Sequence, residues 1–552
     1  MSALRRLSAF ATRIPRVHVS GPGLLLGALC FAAALTPSLI PRAGLVQGLL
    51  AGASFVAGYG VAVAGHLLWH LLELPQWRGP RAWRLAGVVA LAVMIRALWR
   101  AAEWQDMLRA AMDLPPVETV RPFTIAATAL ATAALLICLA RLFRRAGLAL
   151  ARHLARILPE RLALVLGFLL AIGVFGALGN DLILRRALAA FDASYRAMDA
   201  ALTEAPDPPA DPLKTGSAAS LIGWEGIGAE GRNRIADPLD AAAIAAITGR
   251  PALAPLRVYV GLGSAETPQG RAALALAEAI RIGAFARGTL VIATPTGTGW
   301  VDPAAMMPLE VLTDGDVATI SVQYSYLPSW LSLLTVPEYG ARTAREVFEA
   351  IHGHWRHLPA DSRPRLYLFG LSLGALNSDL SADFYDLIGD PYQGALWVGA
   401  PFASRSWAQI TADRQPDSPA WLPRFRDGAA VRFLNQADMP DAGLPWGPMR
   451  LVYLQYASDP ITFFSPAILW RRPEWMTGPR GPGVIEAFRW LPLVTFLQVG
   501  FDLFTGTTAP RGHGHVYAGQ DYLRGWLALL SPEGWDEAGL SRLRAALMAR
   551  GL

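Results

Sequence analysis

The stretch Leu366-Tyr367-Leu368-Phe369-Gly370-Leu371-Ser372-Leu373-Gly374 decides how the rest of this chain is read. It is a short apolar strand running straight into a Gly-x-Ser-x-Gly turn, and residues 375–380 begin a helix behind it. Strand, sharp turn and helix form the setting that exposes a serine hydroxyl at the tip of a strained bend. Gly370 and Gly374 carry no Cβ, so strand and helix can pass close together there. A serine hydroxyl is a weak nucleophile and needs a base, itself oriented by an acid. In this setting the acid and then a histidine follow the serine in chain order.

Working outward, residues 256–262, 289–293 and 317–324 read as strands, and 271–282, 304–312 and 342–355 as helices. Strands alternating with helices predict a mostly parallel sheet with right-handed crossovers. Ligands bind at the carboxyl ends of such strands. Two strand ends are therefore site loops. Thr294-Pro295-Thr296-Gly297-Thr298-Gly299-Trp300 reads either as a flexible turn or as the loop that offers a backbone donor at Gly297 or Thr298 to a developing oxyanion. The N–H of Leu373, just after the serine, is the other donor. The second loop, Tyr324-Ser325-Tyr326-Leu327-Pro328-Ser329-Trp330, carries Tyr324, Tyr326 and Trp330, which suit the wall of a substrate pocket, with Trp300 from the first, as well as ordinary core. No Gly-Lys-Ser/Thr follows the Gly-rich turn, so it is not a phosphate loop.

After Ser372, strands are expected at 395–399, 431–434 and 451–456. The last runs into Ala457-Ser458-Asp459-Pro460, and Asp459 is the preferred acid; Asp438, after the strand before it, is the alternative. Two histidines follow Asp459, in Arg511-Gly512-His513-Gly514-His515-Val516-Tyr517. His515 is preferred as the base because Tyr517 and a helix from residue 520 fix its loop; His513 stays open. The pair lacks the Glu of an H-E-x-x-H arrangement, so no metal site is expected, nor any cofactor. Residues 461–508 are rich in aromatic and aliphatic side chains. Arg489, Pro492 and Asp502 argue against a further span, and the segment reads as a cap or lid lying against a bilayer.

Composition sets the first third apart. The chain has 552 residues, 53% of them apolar and only 17% charged, which points to a part that lives in lipid. The net charge of +6 comes largely from arginines flanking apolar runs, a topology signal rather than a nucleic-acid surface. Five spans are expected, at 23–40, 44–72, 85–99, 123–143 and 162–184, the third being the weakest because it is short and holds Arg96. Basic loops around Arg78, Arg81 and Arg84, and around Arg144, Arg145, Arg152, Arg156 and Arg161, then face the cytoplasm. This places everything after residue 184 outside the cytoplasm, unless the third segment fails to cross. His66 and His70 sit one turn apart near a span end, an ordinary interfacial position. Cys30 and Cys138 both lie in apolar runs and offer no disulfide framework. The expected domains are residues 1–201 in the membrane, a Pro-rich linker at 202–215 and a globular part at 216–552.

Several of these stretches resemble a known family. Arg257-Val258-Tyr259-Val260-Gly261-Leu262, residues 293–303, Gln323 to Trp330, the Ser372 turn, Ala457 to Pro460 and Gly512 to His515 look like the bacterial membrane-anchored α/β-hydrolase family. Thr36-Pro37-Ser38-Leu39-Ile40-Pro41-Arg42 resembles the start of its N-terminal membrane domain. The resemblance covers nearly the whole chain. It implies a transmembrane helical bundle followed by an α/β-hydrolase fold with a Ser372–Asp459–His515 triad; it does not imply a substrate. The one departure is Leu371, where a polar residue is expected. The combined expectation is a multi-pass inner-membrane serine hydrolase, an esterase or lipase-like enzyme. Its partners are the lipid bilayer and an acyl ester or lipid-like substrate, with no nucleic acid. The alternative is a non-catalytic hydrolase fold serving as a membrane scaffold or transport accessory.

Overall fold

The computed structural model describes residues 20–73, 80–117, 121–180, 206–328, 331–332, 337–437, 439 and 443–552, with isolated positions 186, 194, 196, 197 and 199. The chain divides into two compact units. One comprises Met1–Ala190, Pro466–Arg472 and Ile485–Asp502; the other comprises Phe191–Ser465, Pro473–Val484 and Leu503–Leu552.

The first unit is helical: α1 (Gly21–Ala34), α2 (Gly44–Leu71), α3 (Pro80–Ala110), α4 (Pro122–Leu154) and α5 (Glu160–Ala177). Among the described residues, four helices are long and apolar enough to cross a membrane, and they are α2 to α5. The expected first span, 23–40, is corrected: α1 has 14 residues. It rises about 21 Å, short of the roughly 30 Å of a hydrocarbon core. The reason is written in the sequence, because Pro37 and Pro41 cannot continue a helix. The weakest expected span, 85–99, lies within the 31-residue α3. Small residues let these helices touch. A Cβ on Gly52 of α2 would stand 2.5 Å from the Ala129 carbonyl oxygen of α4, and one on Gly167 of α5 would stand 2.5 Å from the Ala151 nitrogen of α4.

The expected cap at 461–508 is divided between the units. A helix of 12 residues, Val494–Thr505, runs through the end of the piece that belongs with the first unit. Its Val494, with Leu497 and Phe501 alongside, packs on Cys30, Ala34 and Leu50 of α1 and α2. Polar groups complete the join. The last carbonyls of α1 have no partner within the helix. The Gln498 amide donates to Ala33 O at 3.2 Å and to Thr36 O at 3.1 Å. Arg42 Nε bonds Asp502 Oδ1 at 2.8 Å, with both side chains fully buried. The Leu39 N–H donates to Asp502 Oδ2 at 3.1 Å. The Thr36-to-Arg42 stretch is thus folded around one carboxylate, 460 residues away from Arg42 in the chain.

The second unit is built on a seven-stranded, all-parallel sheet in the order β1-β3-β2-β4-β5-β7-β6. The strands are β1 (Leu256–Val260), β2 (Thr289–Thr294), β3 (Val317–Val322), β4 (Arg365–Leu371), β5 (Gly394–Val398), β6 (Val431–Leu434) and β7 (Arg450–Leu454). All seven stand where the sequence predicts strands, within a few residues at the ends. β1, β2, β3 and β5 are buried along their whole length, as a sheet covered on both faces requires. Among the flanking helices, α6 (Pro303–Leu312) follows β2, α7 (Leu373–Asp379) follows β4, Val494–Thr505 is α8, and α9 (Gly519–Leu530) closes on the core, its Trp526 donating to Ala305 O at 2.9 Å. Glu310 on α6 is buried between Arg257, at 2.7 Å, and Arg234, at 2.5 Å. Burial alone would push its carboxyl up, but the two guanidiniums outweigh that and hold it below the usual range. The chain moves from β2 to β3 on one side and returns to lay β4 on the other. The switch in direction therefore falls between the carboxyl ends of β2 and β4.

Candidate active site

Ser372 sits at that point. It has φ +57° and ψ −125°, a backbone conformation costing about 1–3 kcal/mol for a non-glycine residue. Its N–H donates to Val398 O at 2.8 Å, tying the turn to the end of β5. The two glycines are demanded by close approach. A Cβ on Gly370 would stand 2.4 Å from the Gly374 carbonyl, and one on Gly374 would stand 2.4 Å from Thr294 O. The second contact sets the loop after β2 directly beside the turn.

That loop is held from beneath. Tyr259 OH donates to Gly299 O at 2.7 Å, and Gln323 Nε2 donates to Thr298 O at 3.0 Å. The Thr296 N–H bonds Trp300 O at 3.0 Å, closing a tight turn with Gly299 at φ +95°. Gly297 and Thr298 lie at its tip. Leu373 is the first residue of α7, so its N–H has no acceptor within the helix. Of the expected pocket residues, Tyr324 is buried and packs with Leu373 and Leu376. Tyr326 is half-buried, with the Arg196 guanidinium 5.4 Å from its ring centre. Trp300 is 36% exposed. Trp330 lies outside the described residues.

Asp459 follows β7 and caps the four-residue helix Pro460–Phe463, its Oδ1 accepting the Ile461 N–H at 2.8 Å. It is fully buried. Its Oδ2 accepts from His515 Nδ1 at 2.6 Å and from Tyr517 OH at 2.7 Å. His515 stands between α8 and α9. Its N–H donates to Gly506 O at 3.0 Å, and the N–H of Gly514 donates to Ser458 Oγ at 2.9 Å. With Nδ1–H given to a carboxylate, the lone pair of the imidazole is left on Nε2. That atom is buried and has no hydrogen-bond partner among the described residues. The ring lies against Gly399, the residue after β5, where a Cβ would come within 2.6 Å of Cε1. Ser372 and His515 therefore border consecutive residues, Val398 and Gly399, of one strand end. The carboxyl ends of β4, β5 and β7 gather Ser372, His515 and Asp459 into one region.

Of the alternatives, His513 lies beside Gly483 and Ser458, its backbone N–H on Pro510 O at 3.1 Å. Asp438 lies outside the described residues. Among the described residues, no group of three or more His, Cys, Asp or Glu is placed to hold a metal ion.

Three contributors escape sequence reading. Tyr517 appears there as an anchor for its loop, and the structure adds a donor to Asp459. Gly399 is signalled only by the small residue closing an apolar run. Asp302, the N-cap of α6, accepts from Ala304 N–H at 2.9 Å and from Tyr522 OH at 2.8 Å. Burial pushes its carboxyl up to about 6, against those two donors and Arg511. The Tyr522 ring packs at 6.3 Å from Tyr517.

Residues 256–543 match a family described as an alpha/beta-hydrolase family, and residues 35–238 match the N-terminus of such a family. The chain belongs to this alpha/beta-hydrolase family. Comparisons with the curated proteins and with the solved structures found no match. For this alpha/beta-hydrolase, the family match runs from the first strand of the sheet into the last helix, and the N-terminal match covers α2 to α5 and continues to residue 238.

Proposed function

We propose that the protein is a membrane-embedded serine hydrolase that cleaves acyl esters. The observation that carries this reading is the state of His515. One imidazole nitrogen is fixed on a buried carboxylate, and the other is buried with no partner among the described residues, in a ring packed against Gly399 beside the Val398 carbonyl that Ser372 bonds. In the reaction, Ser372 Oγ attacks the ester carbonyl while His515 Nε2 takes its proton. Asp459 stabilises the resulting imidazolium without being protonated itself. The N–H of Leu373 and the tip of the loop at Gly297 and Thr298 receive the oxyanion. The imidazolium then protonates the departing alcohol, and water, activated by the same imidazole, releases the acid from Ser372. The apolar surround of Tyr324, Leu373 and Leu376 favours the acyl chain of a lipid-like ester.

We also propose that the hydrolase unit lies outside the cytoplasm of the inner membrane. With α2 to α5 crossing and the two arginine-rich loops between them inside, residues after α5 emerge outside, whether or not α1 crosses.

Labelling of the full-length protein by a fluorophosphonate tests the chemistry. The wild type should react and Ser372→Ala should not. Labelling that persists in Ser372→Ala rejects the nucleophile, and a folded wild type that never reacts favours the scaffold reading. A series of soluble esters should show preference for longer acyl chains over acetate; equal rates reject a lipid-like substrate.

A further inference from the structure

We propose that the pocket beside Ser372 is built for an acyl chain that carries a hydroxyl, and that Tyr324 and Asn377 are the residues that select it. This deepens the hydrolase reading above and rests on it for the reaction; the placement of the two side chains does not depend on it.

Both side chains are firmly set within the second unit. Tyr324 follows the end of β3 by two residues. Gln323, just before it, is held three times: its N–H donates to Val260 O at 2.9 Å, its Nε2 donates to Thr298 O at 3.0 Å, and its Oε1 accepts the Leu262 N–H at 3.0 Å. Just after it, Ser325 Oγ accepts the Leu327 N–H at 3.0 Å. Tyr324 is buried and packs on Leu373 and Leu376. Asn377, on α7, is fully buried. It stands one turn beyond Leu373 on the same side of the helix, about 6 Å further along the axis. Its amide lies against Gly340 of the helix Pro337–Trp355, where a Cβ would come within 2.3 Å of Nδ2. Glycine at 340 makes the room that the amide occupies. Burial pushes the Tyr324 phenol up and the Asn377 side chain opposes the rise, so the two groups are neighbours.

They face one another without closing a hydrogen bond. Tyr324 Oη, Asn377 Oδ1 and Asn377 Nδ2 are buried and have no hydrogen-bond partner among the described residues. Folded proteins pair such atoms, and an amide buried with both ends unpaired is costly to keep. An apolar pair of the same shape would fill the space without that cost. The three atoms are an acceptor, a donor and a hydroxyl that serves either way. A ligand group that both donates and accepts answers all of them, whereas a run of methylenes answers none. An acyl chain that leaves Ser372 along Leu373 and Leu376 brings a hydroxyl to Asn377 within about one turn of helix. A site built to hydrogen-bond a substrate hydroxyl rejects the analogue that lacks it, because the buried polar groups are then left unpaired.

The test uses the full-length protein in detergent micelles and aryl esters of one straight-chain acid, plain and with a hydroxyl moved along the chain carbon by carbon. What is read is the ratio of kcat/KM for the hydroxylated and plain esters in the same preparation, so that a loss common to both cancels. Wild type should favour the best-placed hydroxyl by about tenfold or more, and the preference should fade as the hydroxyl moves to either side. Tyr324→Phe, which removes only the phenolic oxygen, and Asn377→Leu should each cut the ratio by about threefold or more. Free acids give a second readout that needs no turnover. In Ser372→Ala the hydroxy acid should raise the melting temperature more than the plain acid does, and adding Tyr324→Phe should shrink the excess. Absence of preference at every hydroxyl position overturns the proposal and leaves the two side chains as a pair served by water. A preference that survives in both variants overturns it as well. Should Asn377→Leu fail to fold, Tyr324→Phe decides alone. A wild type that turns over no ester defeats the hydrolase reading, while the melting temperatures with the free acids still decide the pocket.

Discussion

Gly399→Ala tests the placement of His515 without touching any reacting group. Gly399 has φ +53°, where a side chain costs about 1–2 kcal/mol of backbone strain. The new methyl would stand 2.6 Å from His515 Cε1, 3.0 Å from Nδ1 and 3.0 Å from the Tyr517 ring. Ordinary contact begins near 3.4 Å. The imidazole must therefore withdraw by about 1 Å, because a packed interior has little slack to share the strain. The withdrawal falls on the 2.6 Å bond to Asp459 and moves the imidazole from the strand end beside Ser372. A misplacement of that size lowers the rate by roughly 10²-fold, or about 2.7 kcal/mol in the barrier. The assay is the rate of fluorophosphonate labelling of the full-length protein, with kcat on a soluble ester beside it. Gly249→Ala is the control: its φ is +71° and its Cβ would meet nothing within 4 Å. It should lose stability by a similar backbone strain and keep its labelling rate. A folded Gly399→Ala protein that labels as fast as the wild type refutes the assignment of His515 as the base.

Tyr517→Phe removes one donor from Asp459 Oδ2 and leaves the His515 bond, so kcat should fall by no more than about tenfold while the melting temperature drops, by about 1.5–3 kcal/mol of stability; a loss of activity as deep as that of Ser372→Ala would refute this. The Asp302 carboxyl, raised from 3.8 to about 6 by burial, binds its proton more tightly folded than unfolded. Its contribution to stability is thus present below about pH 4 and falls as pH rises to about 6, by about 3 kcal/mol in all. Wild type should lose stability relative to Asp302→Asn as pH rises across that window, and a difference in unfolding midpoint that stays constant would refute the shift. Glu310→Gln leaves Arg234 and Arg257 buried without their carboxylate and should cost about 3–5 kcal/mol in thermal unfolding; a cost under about 1 kcal/mol would mean that water reaches the site.

What the sequence made legible is what local chemistry decides. Strands buried on both faces read as unbroken apolar runs, so 289–293 and 317–324 were visible without partners. The Ser372 turn announces itself because the crowding at Gly370 and Gly374 excludes every side chain. Asp459 stands out because a carboxylate before Pro460 is the ordinary start of a short helix. Long-range pairing was not legible. Nothing near Asp502 says that Arg42 will meet it, and an acidic residue in an apolar stretch reads as an argument against a span rather than as half of an ion pair. The length of α1 is legible in the sequence once the prolines at 37 and 41 are given more weight than the apolar character of 35–40. Sheet order, with β3 set between β1 and β2, depends on which crossover is taken, and the run of strands along the chain does not carry it.

The polypeptide visits the N-terminal unit, leaves it after Ala190, and goes back twice, at Pro466–Arg472 and Ile485–Asp502. No single cut separates the two units. A soluble fragment beginning at the Pro-rich stretch would carry Val494, Leu497 and Phe501 without the helices they cover, together with a carboxylate at Asp502 stripped of its guanidinium. Such a fragment should aggregate during purification. Preparations meant for crystallisation or screening belong in detergent or lipid discs with the apolar helices retained.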